Sequence, residues 1–111
     1  MNETIFTEIL TKHGFKVEKE IAPWNGGGDW YVAYVSTDKY NIAVAAYDPD
    51  DGDVATVCVS LKKTTLPVKI KVANTKDFKT VEELEKACME LNVKFKQMLE
   101  QIKLEQINKD F

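Results

Sequence analysis

Through the last third of the chain, apolar residues recur at alternating steps of three and four, at Val81, Leu84, Cys88, Leu91, Phe95, Met98 and Ile102. That spacing holds one stripe on one side of an α-helix. Leu99 and Ile107 widen the stripe beyond a strict coiled-coil seam, as suits a helix lying across a sheet. Thr80 begins this helix with Glu83 three residues on, a capping box, and Glu82 and Glu85 sit where the helix dipole favours acids. Near the start of the chain, Ile5, Phe6, Ile9 and Leu10 form one face of a shorter helix over roughly residues 3–13. Gly14, following His13, supplies its C-terminal cap.

Between the helices the period drops to two. Phe15, Val17 and Ile21 alternate with Lys16, Glu18 and Glu20, a strand with one wet face whose inward row Lys19 interrupts. A loop of Pro23, Trp24, Asn25, three glycines and Asp29 follows. Three further strands are predicted at about Trp30–Val35, Tyr40–Tyr47 and Val54–Leu61, each rich in β-branched and aromatic residues. The turns between them, Ser36–Lys39 and Asp48–Asp53, are short enough to join antiparallel neighbours, so a meander is the economical topology. After Pro67, Val68, Ile70 and Val72 alternate with Lys69 and Lys71, whose charges protect a sheet edge from pairing with another chain. Trp30–Val35 is apolar on both faces, so the pattern leaves open which one is buried.

The predicted architecture is a single α+β domain over residues 1–111. It has a short N-terminal helix, an antiparallel meander sheet of about five strands, and a long C-terminal amphipathic helix packed on one sheet face. This order of elements is loosely similar to that of helix-grip folds, in which a curved sheet wraps a long terminal helix around a ligand cavity. The similarity is one of element order, and no motif carries it.

Composition narrows the function classes. Apolar residues at 44% and charged residues at 30% are ordinary for a globular chain and far from the disordered range. No stretch approaches the roughly 18 apolar residues of a membrane span. Acids stand at the N-terminus where a signal peptide carries bases, so a cytoplasmic location is expected, with no membrane partner. Cys58 falls in a strand and Cys88 in the helix seam, which reads as two small buried hydrophobes in a reducing compartment. All fifteen basic residues are Lys, which removes the planar fork that reads guanine edges and phosphates, and the net charge is −3; nucleic acid is a disfavoured partner. Residues 1–61 carry four Lys against ten acids, and residues 62–111 carry eleven Lys against eight. Such asymmetry steers association or merely sets an acidic rim beside a basic one.

Four constellations bear on chemistry. The acidic hairpin with Asp48, Asp50, Asp51 and Asp53 offers oxygen ligands to a hard cation. A calcium loop of the EF-hand type needs glycine sixth and glutamate twelfth. Counted from Asp48, Gly52 is fifth and Val59 twelfth, so the hairpin reads as a turn or an acidic contact surface, with no metal. The segment Trp24, Asn25, three glycines, Asp29 and Trp30 lacks the Walker and dinucleotide spacings but resembles a binding loop, flexible backbone between large aromatics. The single His13 and two thiols match no zinc ligand spacing, and a buried strand thiol such as Cys58 is ordinarily inert. Finally, Lys62, Lys63, Lys69, Lys71, Lys76 and Lys79 gather around the last strand without an aromatic stacking row.

These features predict a small cytosolic, non-enzymatic protein without cofactor that binds another macromolecule, most simply a protein. It would be an inhibitor or adaptor of the kind a phage or other mobile element encodes against a host protein. The contact would run through Trp24, Asn25, Asp29, Asp48, Asp50, Asp51 and Asp53, and the chain would be a monomer or homodimer. The alternative is a small-molecule carrier with a pocket between sheet and long helix, lined by Trp30, Tyr34, Phe95 and Met98.

Overall fold

The structure, a computed structural model, describes residues 1–21, 29–37, 39–50, 52, 54–65 and 68–109. Its first helix, α1 (Glu3–Lys12), begins where Asn2 adopts an extended backbone and accepts the Ile5 N–H on its side-chain oxygen at 2.9 Å. It ends at Gly14, whose φ of +90° lets the chain reverse. The Phe15 N–H then reaches the Leu10 carbonyl at 2.9 Å and the Gly14 N–H reaches that of Thr11 at 3.0 Å. Phe15 and Leu10 are both buried, the apolar contact that accompanies this closure. The last helix, α2 (Val81–Lys109), starts as the sequence predicts, with the Thr80 hydroxyl accepting the Glu83 N–H at 3.2 Å. Its 29 residues make a rod about 44 Å long.

Five strands lie between: β1 (Lys16–Ile21), β2 (Asp29–Ser36), β3 (Asn41–Tyr47), β4 (Ala55–Thr65) and β5 (Val68–Phe78). They form one antiparallel sheet in chain order, a meander. The ambiguity in β2 resolves toward Ala33 and Val35, which are buried, with Tyr31 packed beside them. Trp30, Val32 and Tyr34 therefore take the opposite face. In β3 the register slips: Ala33 faces Ala45 but Tyr34 faces Ala43, leaving Val44 as an extra residue, and Val44 and Ala45 are both buried. β3 and β4 share only a short ladder, Ala45–Tyr47 against Ala55–Val57. β4 and β5 pair along their whole length, with irregularities between Cys58 and Leu61.

Both helices cover the same sheet face. Phe6, Ile9 and Leu10 of α1 are buried, and the Phe6 ring stacks on Tyr47 with centroids 5.7 Å apart. From α2, Leu84, Ala87, Cys88, Leu91, Phe95 and Ile102 enter the core, chiefly over β4. Complete burial of Leu84 and Leu91 stabilises the fold by about 1.5–3 kcal/mol each. Val81, at the first position of α2, is 37% exposed and stands outside this core. The helices are tied by a Lys12–Glu85 ion pair at 2.8 Å and by the Asn92 amide donating to the His13 carbonyl at 2.8 Å.

Candidate functional site

The meander brings the strand ends that flank the two sequence-predicted loops to one end of the sheet. Ile21 pairs with Asp29, so the β1–β2 loop springs from that end. Tyr31 pairs with Tyr47 and Tyr47 with Ala55, so the β3–β4 turn springs from it too. The Tyr47 hydroxyl secures a third segment there, its single proton shared between the carbonyls of Met1, at 3.1 Å, and Gly52, at 2.9 Å. Within the turn, Asp48 accepts the Asp50 N–H at 3.0 Å on its carboxylate, and the Gly52 N–H reaches the Asp48 carbonyl at 3.0 Å. Gly52 takes φ +56°, the left-handed conformation that a reversal of this kind requires.

Of the predicted contact residues, Asp29, Asp48 and Asp50 are therefore gathered at this end. Trp24, Asn25, Asp51 and Asp53 lie outside the described residues. Asp29 and Asp50 line one polar cleft of about 350 Å³ together with Glu3, Lys19, Tyr31 and Pro49. Lys19 pairs with Asp29 at 3.2 Å, and that carboxylate holds the Lys19 ammonium above its ordinary pKa. Three carboxylates thus share the cleft with one cation, which leaves it negative. Sequence reasoning missed Glu3, Lys19 and Tyr31 as companions of the two aspartates. They are distant in sequence, and only the break that Lys19 makes in the inward row of β1 marked one of them.

The remaining candidate chemistry is not assembled. His13 sits between α1 and α2, its Nε2 buried without a hydrogen bond and 4.0 Å from Glu85. Lys12 takes that Glu85 oxygen instead and holds the carboxyl below the usual range. The Cys58 thiol donates to the Ser60 carbonyl at 3.2 Å, and burial pushes its pKa up. Burial pushes Cys88 up to about 12. Thiols so placed stay protonated and are poor nucleophiles at neutral pH. Among the described residues, no three of His, Cys, Asp and Glu stand close enough together to hold a metal ion. No described helix is long and apolar enough to cross a membrane.

The four side chains of the alternative pocket are divided between the two sheet faces. Phe95 and Met98 face the covered side, and Tyr40 meets the Phe95 ring edge-on at 6.5 Å. Trp30 and Tyr34 take the uncovered face, where the Tyr34 hydroxyl donates to Glu20 and this bond raises the phenol to about 12. The lysine group follows the β4–β5 hairpin. Lys63 pairs with Glu105 of α2, whereas Lys62, Lys69 and Lys71 have no carboxylate partner among the described residues. No protein-family model matches the chain, and neither a curated protein nor a solved structure is similar to it at a significant level.

Proposed function

We propose that the protein is a small cytosolic, non-enzymatic binding module that grips a basic surface of a partner protein with its acidic end, as an inhibitor or adaptor. One observation supports the reading: Asp29, Asp48, Asp50 and the start of α1 lie at a single end of the sheet. A cluster of carboxylates accelerates encounter with a basic patch, and aromatic residues beside it supply the apolar contacts that hold the complex.

The test is a photo-crosslinking amino acid placed at Asp50 and, as control, at Lys62 on the opposite hairpin, in cells expressing the full chain. The reading expects one protein captured from position 50 and not from position 62. It also expects that protein's affinity to drop on Asp50→Lys, Asp51→Lys and Asp53→Lys combined, with the melting temperature unchanged. Undiminished affinity in the triple variant overturns it.

A further inference from the structure

The two edges of the sheet carry their charges differently. Along β1 the charged side chains find partners: Lys16 pairs with Glu18 and Lys19 with Asp29, each at 3.2 Å, and Glu20 accepts the Tyr34 hydroxyl. At the opposite edge, β5 is paired on one side by β4, and no described strand lies beyond it. The backbone N–H and C=O groups of alternate β5 residues therefore point outward, where an extended chain can pair with them. Ile70 is buried, and its cross-strand partner Lys63 reaches Glu105 of α2, so both face the helix. Lys69 and Lys71 then project from the uncovered face, about 7 Å apart along the strand, and Lys62 stands directly opposite Lys71. Like charges so placed repel, and none of the three has a carboxylate partner among the described residues.

We infer that the outer edge of β5 over residues 68–72 receives an acidic, extended segment of a partner protein as an added strand, independently of the acidic end. Backbone bonds along the edge supply the attachment. Carboxylates on alternate residues of the segment repeat at the lysines' own spacing of about 7 Å and meet Lys69 and Lys71 on the uncovered face. The intervening side chains of the segment fall on the helix side, beside Ile70 and Val72, so the matching pattern alternates acidic with apolar residues. A second copy of β5 is a poorer occupant, because it brings Lys69, Lys71 and Lys76 against Asp77 alone to an edge that is already positive. Nucleic acid has no extended backbone of amide donors and acceptors to match the edge, and the chain has no arginine and β4 and β5 no aromatic stacking row to offer it. The lysines that guard the edge against its own copies thus become the contacts that select its partner.

The test is a titration of the isotope-labelled full chain with a capped heptapeptide alternating Glu and Val, followed through the amide signals in NMR. The amides of 68–72 should shift saturably, with Kd of about 0.1–1 mM for so short an edge, and the outward-pointing ones should gain protection from hydrogen exchange. The same peptide with Lys for Glu should bind about tenfold more weakly. Lys69→Glu combined with Lys71→Glu, both at exposed positions, should reverse that preference. Methylating the peptide nitrogens of the Val residues and, in a second peptide, those of the Glu residues separates strand addition from charge contact alone. One set should abolish binding and the other leave it within about threefold, because a strand bonds its neighbour through every second residue. The inference is overturned by the absence of β5 shifts at about 3 mM peptide, by equal effects of the two methylations, or by a preference unchanged in the double variant. Tighter binding of a short DNA duplex to the same lysines overturns it too, as does movement of the same amides when the protein alone is concentrated, which would assign the edge to a second copy.

Discussion

Gly14→Ala isolates a single physical term. The added Cβ meets nothing within 4 Å, so the substitution introduces no clash, and the whole effect comes from the backbone conformation at φ +90°. Holding an L-residue in the left-handed region costs about 1–2 kcal/mol. Alanine returns about 0.4–1 kcal/mol by narrowing the unfolded ensemble. The net destabilisation is about 1 kcal/mol. For 111 residues the unfolding entropy is about 0.23 kcal/mol/K, so Tm should fall by about 4 °C. The assay is urea and thermal unfolding followed by circular dichroism, with the urea slope unchanged because the same surface is exposed. Gly14→Asn should lose less, since asparagine tolerates this region better than alanine. If Gly14→Ala is as stable as the parent, the claim that the α1 closure depends on a left-handed residue fails.

Two other perturbations separate packing from electrostatics. Leu91→Ala, at a site 1% exposed, should cost about 3 kcal/mol and roughly 12 °C, whereas Met89→Ala in dilute solution should stay within about 0.5 kcal/mol; equal effects would mean α2 packs by another face. Tyr34 should ionise near 12 in ultraviolet titration, later than an ordinary phenol, and Glu20→Gln should lower it. Its folded pKa is raised, so the stability from the Tyr34–Glu20 bond is complete below pH 10 and lost as pH rises through 12. A titration unaffected by Glu20→Gln would remove the bond from the account.

Much of the fold was legible because α2 and β1 each meet one apolar and one polar environment, and period reports such asymmetry directly. The far halves of β4 and β5 were not. Lys62, Lys63 and Thr64, like Asn74 to Asp77, carry polar side chains on both faces, so no alternation marks them; cross-strand partners such as Thr56 and Asp77, bonded at 2.6 Å, extend the ladder instead. The buried face of β2 was equally hidden, because its neighbours and the bulge at Val44 decide it. At the candidate site, the carboxylates were visible as turn residues. Their convergence with Glu3 and Lys19 was not, since it follows from strand order and from the Tyr47 hydroxyl.

The short ladder between β3 and β4 gives the sheet an unusual mechanics. A plate with full ladders resists shear at every strand boundary, but here, among the described residues, one boundary carries three residue pairs. What sets the spacing of the two leaves lower down is a wedge of side chains. Tyr40, just before β3, bears edge-on against Phe95 of the helix that rides on β4, and one residue away Lys94 grips the Val59 carbonyl at 2.6 Å. The two leaves of the sheet are therefore joined below that ladder through α2, by an aromatic contact on one side and an ammonium on the other.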